Sequence, residues 1–333
     1  MQDVRGKRIF LGLSGGVDSA VAAALLVRAG AQVTGVFIKG WYPPGMPCTW
    51  ATDRRDAMRV AARLRVPFYT LDARDEYKHG VIDYLLAEYR AGRTPNPDVM
   101  CNREVKFGTF YRFAKAHDAD AIATGHYVSG EKDQRYFLWA VPKEALAYTV
   151  FPLADKEKAE TRALARRFGL PVAQKKDSQG VCFLGDISIE AFLKEEFGIR
   201  AGRAVTNSGE PVGTHAGAVL YTIGERVSLA GASNGPWYVI AKDMEANELT
   251  VAHERGASDL RFECGIPFSH ENWQMEPHTA QVAQLRYRGP LVSGRVERNR
   301  FYPSAPLAEL PTPGQSIVFY AQGILVGGGI IDP

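Results

Sequence analysis

Three places in the sequence combine residue types and spacings that can do chemistry. In Ser14-Gly15-Gly16-Val17-Asp18-Ser19, two glycines sit between a strand-like run and an apolar helical stretch. At a strand-to-helix turn, glycines let an anion approach the main chain, and the helix start offers unpaired N–H groups and a positive dipole end. That predicts a phosphate site, and Asp18 is the carboxylate expected to help hold Mg²⁺ on a nucleotide's phosphates. No Gly-Lys-Ser/Thr follows, which disfavours the usual phosphate-transfer NTPase loop. A tight turn capped by Ser14 is the plainer alternative.

The second place is Thr94-Pro95-Asn96-Pro97-Asp98-Val99-Met100-Cys101, followed by Arg103 and Lys106. A thiol near a helix start with cations beside it is expected to ionise readily and to act as a nucleophile. An inert cysteine in a proline-stiffened loop is the alternative. The third is Lys175-Lys176-Asp177-Ser178-Gln179-Gly180-Val181-Cys182-Phe183, polar enough to expose its thiol. Two thiols suit sulfur delivery: one carries a persulfide, and the other attacks it to form a disulfide and free the sulfur.

These residues need a scaffold. Strand-like runs at Arg8–Leu13, Gln32–Ile38, Pro67–Leu71 and Ala119–Thr124 alternate with helical stretches at Val17–Ala29, Thr52–Leu64, Asp75–Arg90 and Val105–His117. The alternation predicts an α/β domain with a parallel sheet covered on both faces, binding its ligand beyond the carboxyl ends of the strands. Asp155 to Phe197 reads as largely helical. Beyond Gly198 come strand-like runs such as Ala218–Thr222, Trp237–Ile240, Ser316–Tyr320 and Gly323–Ile331, separated by turn residues. We therefore expect a catalytic domain over 1–199, a small β-rich domain over 200–262 and a β-barrel-like domain over 263–333. A chain of 333 residues exceeds what one core usually organises.

Composition excludes more than it proves. Apolar residues at 46% and charged residues at 23% are ordinary for a folded globular chain. No apolar run reaches the length of a membrane span and no signal-peptide core opens the chain, so a cytoplasmic protein is expected. The four cysteines form no Cys-x-x-Cys pair, which argues against a zinc site or disulfide framework, and Cys48 and Cys264 are assigned to structure. A net charge of +3 permits a nucleic-acid partner without announcing one. A monomer is the default expectation.

The glycine loop resembles that of the PP-loop ATP pyrophosphatases, which split ATP between its α and β phosphates and adenylate a substrate. Joined to the Thr94–Cys101 and Lys176–Phe183 segments, Ala123-Thr124-Gly125-His126-Tyr127, Lys132-Asp133-Gln134 and Tyr221-Thr222-Ile223-Gly224, it resembles the tRNA-specific 2-thiouridylase family through nearly the whole chain. That resemblance implies ATP-dependent 2-thiolation of the wobble uridine in the anticodon of tRNA, using Mg²⁺ and sulfur relayed from a persulfide donor protein. Residue by residue, it implies ATP contacts from Gly12, Leu13, Ser14, Gly15, Gly16, Val17, Asp18, Ser19, Ile38 and Gly125. Asn96, Pro97 and Asp98 would address the target base, with Asp98 also in the catalytic set. Cys101 would be the attacking nucleophile and Cys182 the persulfide carrier. His126, Lys132, Asp133, Gln134, Arg286, Tyr287 and Gln315 would contact tRNA. Three departures stand out: only four residues separate Tyr127 from Lys132, where the family carries a longer hairpin, Arg135 replaces a usual serine, and Glu225-Arg226 replaces Gly-Gln-Arg. A PP-loop ligase or amidotransferase, or an inactive tRNA-binding protein, are the alternatives; no glutaminase domain is recognisable.

Overall fold

The computed structural model describes residues 3–44, 50–130, 132–176, 188–232, 235–254, 264–307 and 310–333. The chain forms two compact units, one of residues 1–82 and 98–186, the other of 83–97 and 187–333.

The first unit is built on β1 (Arg8–Gly12), α1 (Val17–Arg28), β2 (Gln32–Lys39), α2 (Trp50–Leu64) and β3 (Phe68–Asp72). Then come α3 (Arg74–Tyr77) and a π-helical turn (Lys78–Asp83) leading into α4 (Tyr84–Arg90), all of which belongs to the second unit. A second long helix runs as α5 (Pro97–Met100), a π-helical turn (Cys101–Thr109) and α6 (Phe110–Ala116), followed by β4 (Ala121–Ala123), α7 (Lys143–Ala147), β5 (Thr149–Val150) and α8 (Lys158–Arg167). The sheet order is β3-β2-β1-β4-β5, and every pair is parallel. Both faces are covered, as alternation predicts. Ile9 and Leu11 of β1 join the core under α1, whereas Phe10 faces Phe113 of α6, with ring centroids 6.1 Å apart. Helix α1 packs against both α2 and α8, and its Ala20, Ala22, Ala23 and Ala24 are buried, small side chains suiting a helix enclosed on several sides.

The second unit holds α9 (Ile189–Phe197), whose cap Ser188 accepts from Ala191 N–H at 3.1 Å and which ends at left-handed Gly198. Strands β6 (Gly202–Val205), β7 (Pro211–His215), β8 (Arg226–Val227), β9 (Trp237–Asp243) and β10 (Glu248–Ala252) form one sheet, ordered β7-β6-β10-β9-β8. Strands β11 (Ile266–Trp273), β12 (Val282–Gln284), β13 (Leu291–Glu297), β14 (Arg300–Pro303), β15 (Ser316–Ala321) and β16 (Ile324–Ile331) close a barrel in the order β11-β14-β13-β12-β15-β16. Phe268, Phe301, Ile317 and Phe319 fill its interior.

Two sequence expectations are corrected. Ala218–Thr222 is not a strand: Ala218–Leu220 form a single 3₁₀ turn, because Ala218 N–H donates to Asn247 Oδ1 at 2.9 Å and Gly217 enters it with φ +142°. The helix expected from Val105 instead begins at Pro97, a residue suited to the first helical position, so Cys101 lies within the helix rather than ahead of it.

Candidate active site

The glycine loop closes the gap between β1 and α1 at the point where strand order reverses between β1 and β4, the place where open α/β sheets bind ligands. Its shape is set locally. Leu13 N–H donates to Val36 O at 2.8 Å, Ser14 N–H donates to Ser19 Oγ at 3.2 Å, and the two serine hydroxyls lie 3.1 Å apart. Gly15 takes φ +78°, and a Cβ there would run into the Asp53 carbonyl. The helix capping position is Gly16, which has no side chain to accept from the first turn. The first-turn N–H groups are therefore not capped from that position, the arrangement an anion requires. Gly125, following β4, presses on the same turn: a Cβ there would stand 3.0 Å from Ser19 N. Ile38 lies half-buried near the carboxyl end of β2.

Three cations and a phenol organise the charges here, and the sequence reading assigned roles to none of them. Asp18 accepts from Lys158 Nζ at 2.6 and 2.8 Å and from the Tyr127 hydroxyl at 2.9 Å. Lys175 Nζ donates to Gly15 O at 3.2 Å and, at 2.8 Å each, to Asp53 and Asp56. Arg162 in turn donates to Lys175 O at 3.1 Å. Lys158 and Arg162 lay hidden in a run of strong helix formers; only their place on α8, facing the loop, distinguishes them. The uncapped helix start, the Gly15 cradle and the Asp18 carboxylate fit a nucleotide triphosphate with its magnesium. No group of three or more His, Cys, Asp or Glu side chains suited to a metal by themselves occurs among the described residues.

Asp98 occupies the first turn of the helix in which Cys101 opens the π-helical turn, so the two stand one turn apart. Such turns recur at functional sites. The Cys101 side chain is buried, and Arg103, expected to assist it, pairs with Glu104 at 2.6 Å instead. The neighbouring Asn102 donates from Nδ2 to Phe137 O at 2.9 Å while its buried Oδ1 has no protein partner. Cys182 and Cys48 lie outside the described residues; Cys264 is exposed.

His126 is buried against Phe107 and Phe151, with Nδ1 2.9 Å from Thr124 Oγ1. Burial, assisted by the charge of Lys106, pushes its imidazole down to about 3, so any contact it makes to RNA is that of a neutral ring. The short segment after Tyr127 is closed by reciprocal bonds, Tyr127 N–H to Gln134 Oε1 at 3.0 Å and Gln134 N–H to Tyr127 O at 2.9 Å. Asp133 is ion-paired with Arg135, the residue standing in place of serine. Asp133 and Gln134 are thus engaged internally, with Lys132 beside them.

In the second unit, Arg286 and Tyr287 lie in the turn between β12 and β13, not on a strand face. Gly289 N–H donates to Arg286 O at 2.9 Å, and the Arg288 guanidinium stands 5.3 Å from the Tyr287 ring centre. Arg286 and Gln315 line one cavity of about 370 Å³ together with Glu225, Arg226 and Thr222. Asn96 and Pro97 end the 83–97 segment, which is pinned in this unit.

Residues 7–186 match the family described as tRNA methyl transferase HUP domain, and residues 190–253 the one described as tRNA methyl transferase PRC-barrel domain. Among relatives, the tRNA-specific 2-thiouridylase MnmA of Marinomonas sp. (strain MWYL1) is 39% identical, covering 98% of this chain and 91% of its own. The protein of the same name from Enterococcus faecalis (strain ATCC 700802 / V583) is 39% identical over 100% of this chain and 97% of its own. Of solved structures, the U34-tRNA thiolase NcsA of Methanococcus maripaludis with its [4Fe-4S] cluster overlaps 58% of this chain and 68% of that one at a TM-score of 0.38 and 17% identity, too distant to argue from. Identity spread over the full length of both proteins is decisive: the chain belongs to the tRNA-specific 2-thiouridylase family.

Proposed function

We propose that the protein 2-thiolates the wobble uridine of tRNA in an ATP-dependent reaction. The observation that carries this reading is the uncapped start of α1 behind Gly15 and Gly16, with Asp18 beside it, in a chain of this family. PP-loop enzymes use ATP, and the first-turn N–H groups of α1 would hold its phosphates. Mg²⁺, when bound, would supply positive charge on those phosphates beside Asp18, which Lys158 would yield or share.

The uridine O2 is a poor leaving group until adenylation turns it into a phosphate ester with loss of pyrophosphate. A target base splayed from the anticodon loop would meet Asn96, Pro97 and Asp98. The terminal sulfur of a persulfide on Cys182, loaded by a donor protein, then attacks C2 and expels AMP. The Cys101 thiolate attacks the Cys182 sulfur, forming a Cys101–Cys182 disulfide and leaving the second sulfur on C2 as 2-thiouridine. Burial holds the His126 ring neutral, so it brings no positive charge to the tRNA. Burial of Cys101 supports a step shielded from competing thiols.

The test is incubation of the protein with MgATP, a persulfide or sulfide donor and unmodified tRNA, followed by nucleoside mass spectrometry. Cys101→Ser is expected to abolish 2-thiouridine while retaining ATP binding, and Cys182→Ser to fail on the persulfide route. No thiolated nucleoside from the wild type, despite measured ATP binding, would overturn the reading.

A further inference from the structure

Thr94, two residues before the base-addressing Asn96, is held at each of its polar groups by the β-rich part of the second unit. Its N–H donates to Pro313 O at 3.1 Å. Its carbonyl accepts from Gln315 Nε2 at 2.7 Å, and its hydroxyl donates to Thr222 Oγ1 at 3.3 Å. Gly314 lies flat against the contact: at φ +89°, a Cβ there would stand 2.9 Å from both Arg93 Cβ and Thr94 N. The clamp is anchored behind, where Gly314 N–H donates to Ile331 O at 2.9 Å in β16 and Thr312 Oγ1 donates to Ile223 O at 3.3 Å. Ahead of Thr94, Arg93 is ion-paired with Glu88 and donates its N–H to the Glu88 carbonyl at 2.9 Å.

Only Pro95 and Asn96 lie between this grip and the helix that starts at Pro97 and carries Asp98, and Pro95 and Pro97 each remove a soft torsion from the path. A displacement at Thr94 is therefore passed on to Asn96 and Asp98 rather than absorbed. Gln315 gives one amide N–H to this contact and also lines the cavity that Arg286 lines.

We infer that Gln315 is a positioning residue, fixing the Thr94 carbonyl so that Asn96–Asp98 meets the target base, and that the barrel's contribution to catalysis runs through this bond as well as through RNA contact. The inference rests on the proposed thiolation and on the assignment of Asn96–Asp98 to the base.

Three full-length variants test it. Gln315→Ala removes the side chain, Gln315→Glu keeps its size but not its donor, and Thr94→Val removes the hydroxyl bond. Single-turnover thiolation at saturating tRNA is expected to slow tenfold or more in both Gln315 variants and severalfold in Thr94→Val. The tRNA Kd of Thr94→Val, a residue with no assigned RNA contact, should stay within twofold of wild type. Hydrogen exchange across residues 93–98 should accelerate in Gln315→Ala. A weakened Kd with an unchanged saturated rate would make Gln315 an RNA contact alone and overturn the inference. Unchanged exchange across 93–98 would overturn it too, and that measurement stands even if the wild type thiolates nothing, so the two readings fail separately. Should Gln315→Ala fold poorly, Gln315→Glu and Thr94→Val carry the same comparison.

Discussion

His126 shows how a residue's role depends on where its proton can go. Its folded-state value of about 3 lies below the ordinary 6.5, so between these limits the unfolded chain binds a proton that the folded one refuses. The contribution of this group is therefore fully favourable above about pH 6.5 and is lost as pH falls toward 3, at roughly 1.4 kcal/mol per unit at most. Urea unfolding of wild type and His126→Asn between pH 4 and 7 should show the wild type losing stability faster on acidification. Parallel curves would show that the imidazole is not held neutral by burial. The family resemblance implies a tRNA contact at His126, but nothing in Gly125-His126-Tyr127 tells that Phe107 and Phe151 enclose it. Asp18 stands out in the sequence by its place in the glycine loop, whereas its partners Lys158 and Tyr127, 140 and 109 residues away in sequence, do not. Ion pairs across such separations are made by topology, which local patterns do not encode.

At the scale of elements, the loop between β1 and α1 is where local sequence dictates most. Gly15→Ala places a side chain at φ +78° and against the Asp53 carbonyl, a backbone penalty of about 1 kcal/mol or more before the collision is counted. Isothermal titration should find ATP affinity reduced at least tenfold, with a lower Tm. Lys175→Met is a gentler perturbation of the same loop, since it leaves Asp53 and Asp56 without their shared cation. Both carboxylates are partly solvated, so the loss should be about 1 kcal/mol or less and should shrink as salt screens their repulsion. A deficit independent of salt would mean that the bond to Gly15 O, not the charge, is what matters. Strand and helix alternation marked out β1 to β3 and α1 and α2 because each is a run of strand or helix formers, with β1 and α1 continuously apolar and buried rather than periodic. It misjudged Ala218–Thr222, whose apolar run fits a strand but whose entry at Gly217 does not. It also started the Cys101 helix too late, reading Pro95 and Pro97 as loop when Pro97 is the helix's first residue.

For the whole molecule, the chain's two units are not two successive lengths of sequence. Residues 83–97 leave the α/β unit, join the β-rich one, and return at Asp98. Helical periodicity over Asp75–Arg90 gave no sign of this, because an amphipathic helix advertises that it buries a face and not which core receives it. The excursion is held by contacts from well beyond residue 186. Tyr89 has its hydroxyl pushed up to about 12 by burial and by the charge of Glu225. The Arg90 guanidinium stands 5.4 Å from the Phe197 ring centre, and Gly92 packs so closely on Met244 that a Cβ would stand 2.9 Å from its Cγ. Thr94 is bound as described to Thr222, Pro313 and Gln315. A fragment of residues 1–186 keeps every strand of the parallel sheet and the glycine loop, yet strips 83–97 of these partners. It should therefore retain measurable ATP binding while exchanging amide hydrogens rapidly over 84–97 and forming no 2-thiouridine. Adding residues 187–333 as a separate chain should restore protection over 84–97 before it restores turnover, because the segment must be gripped before Asn96–Asp98 can be set. If the isolated fragment protected 84–97 as well as the full chain does, the β-rich half would be an RNA-binding appendage rather than part of the catalytic frame.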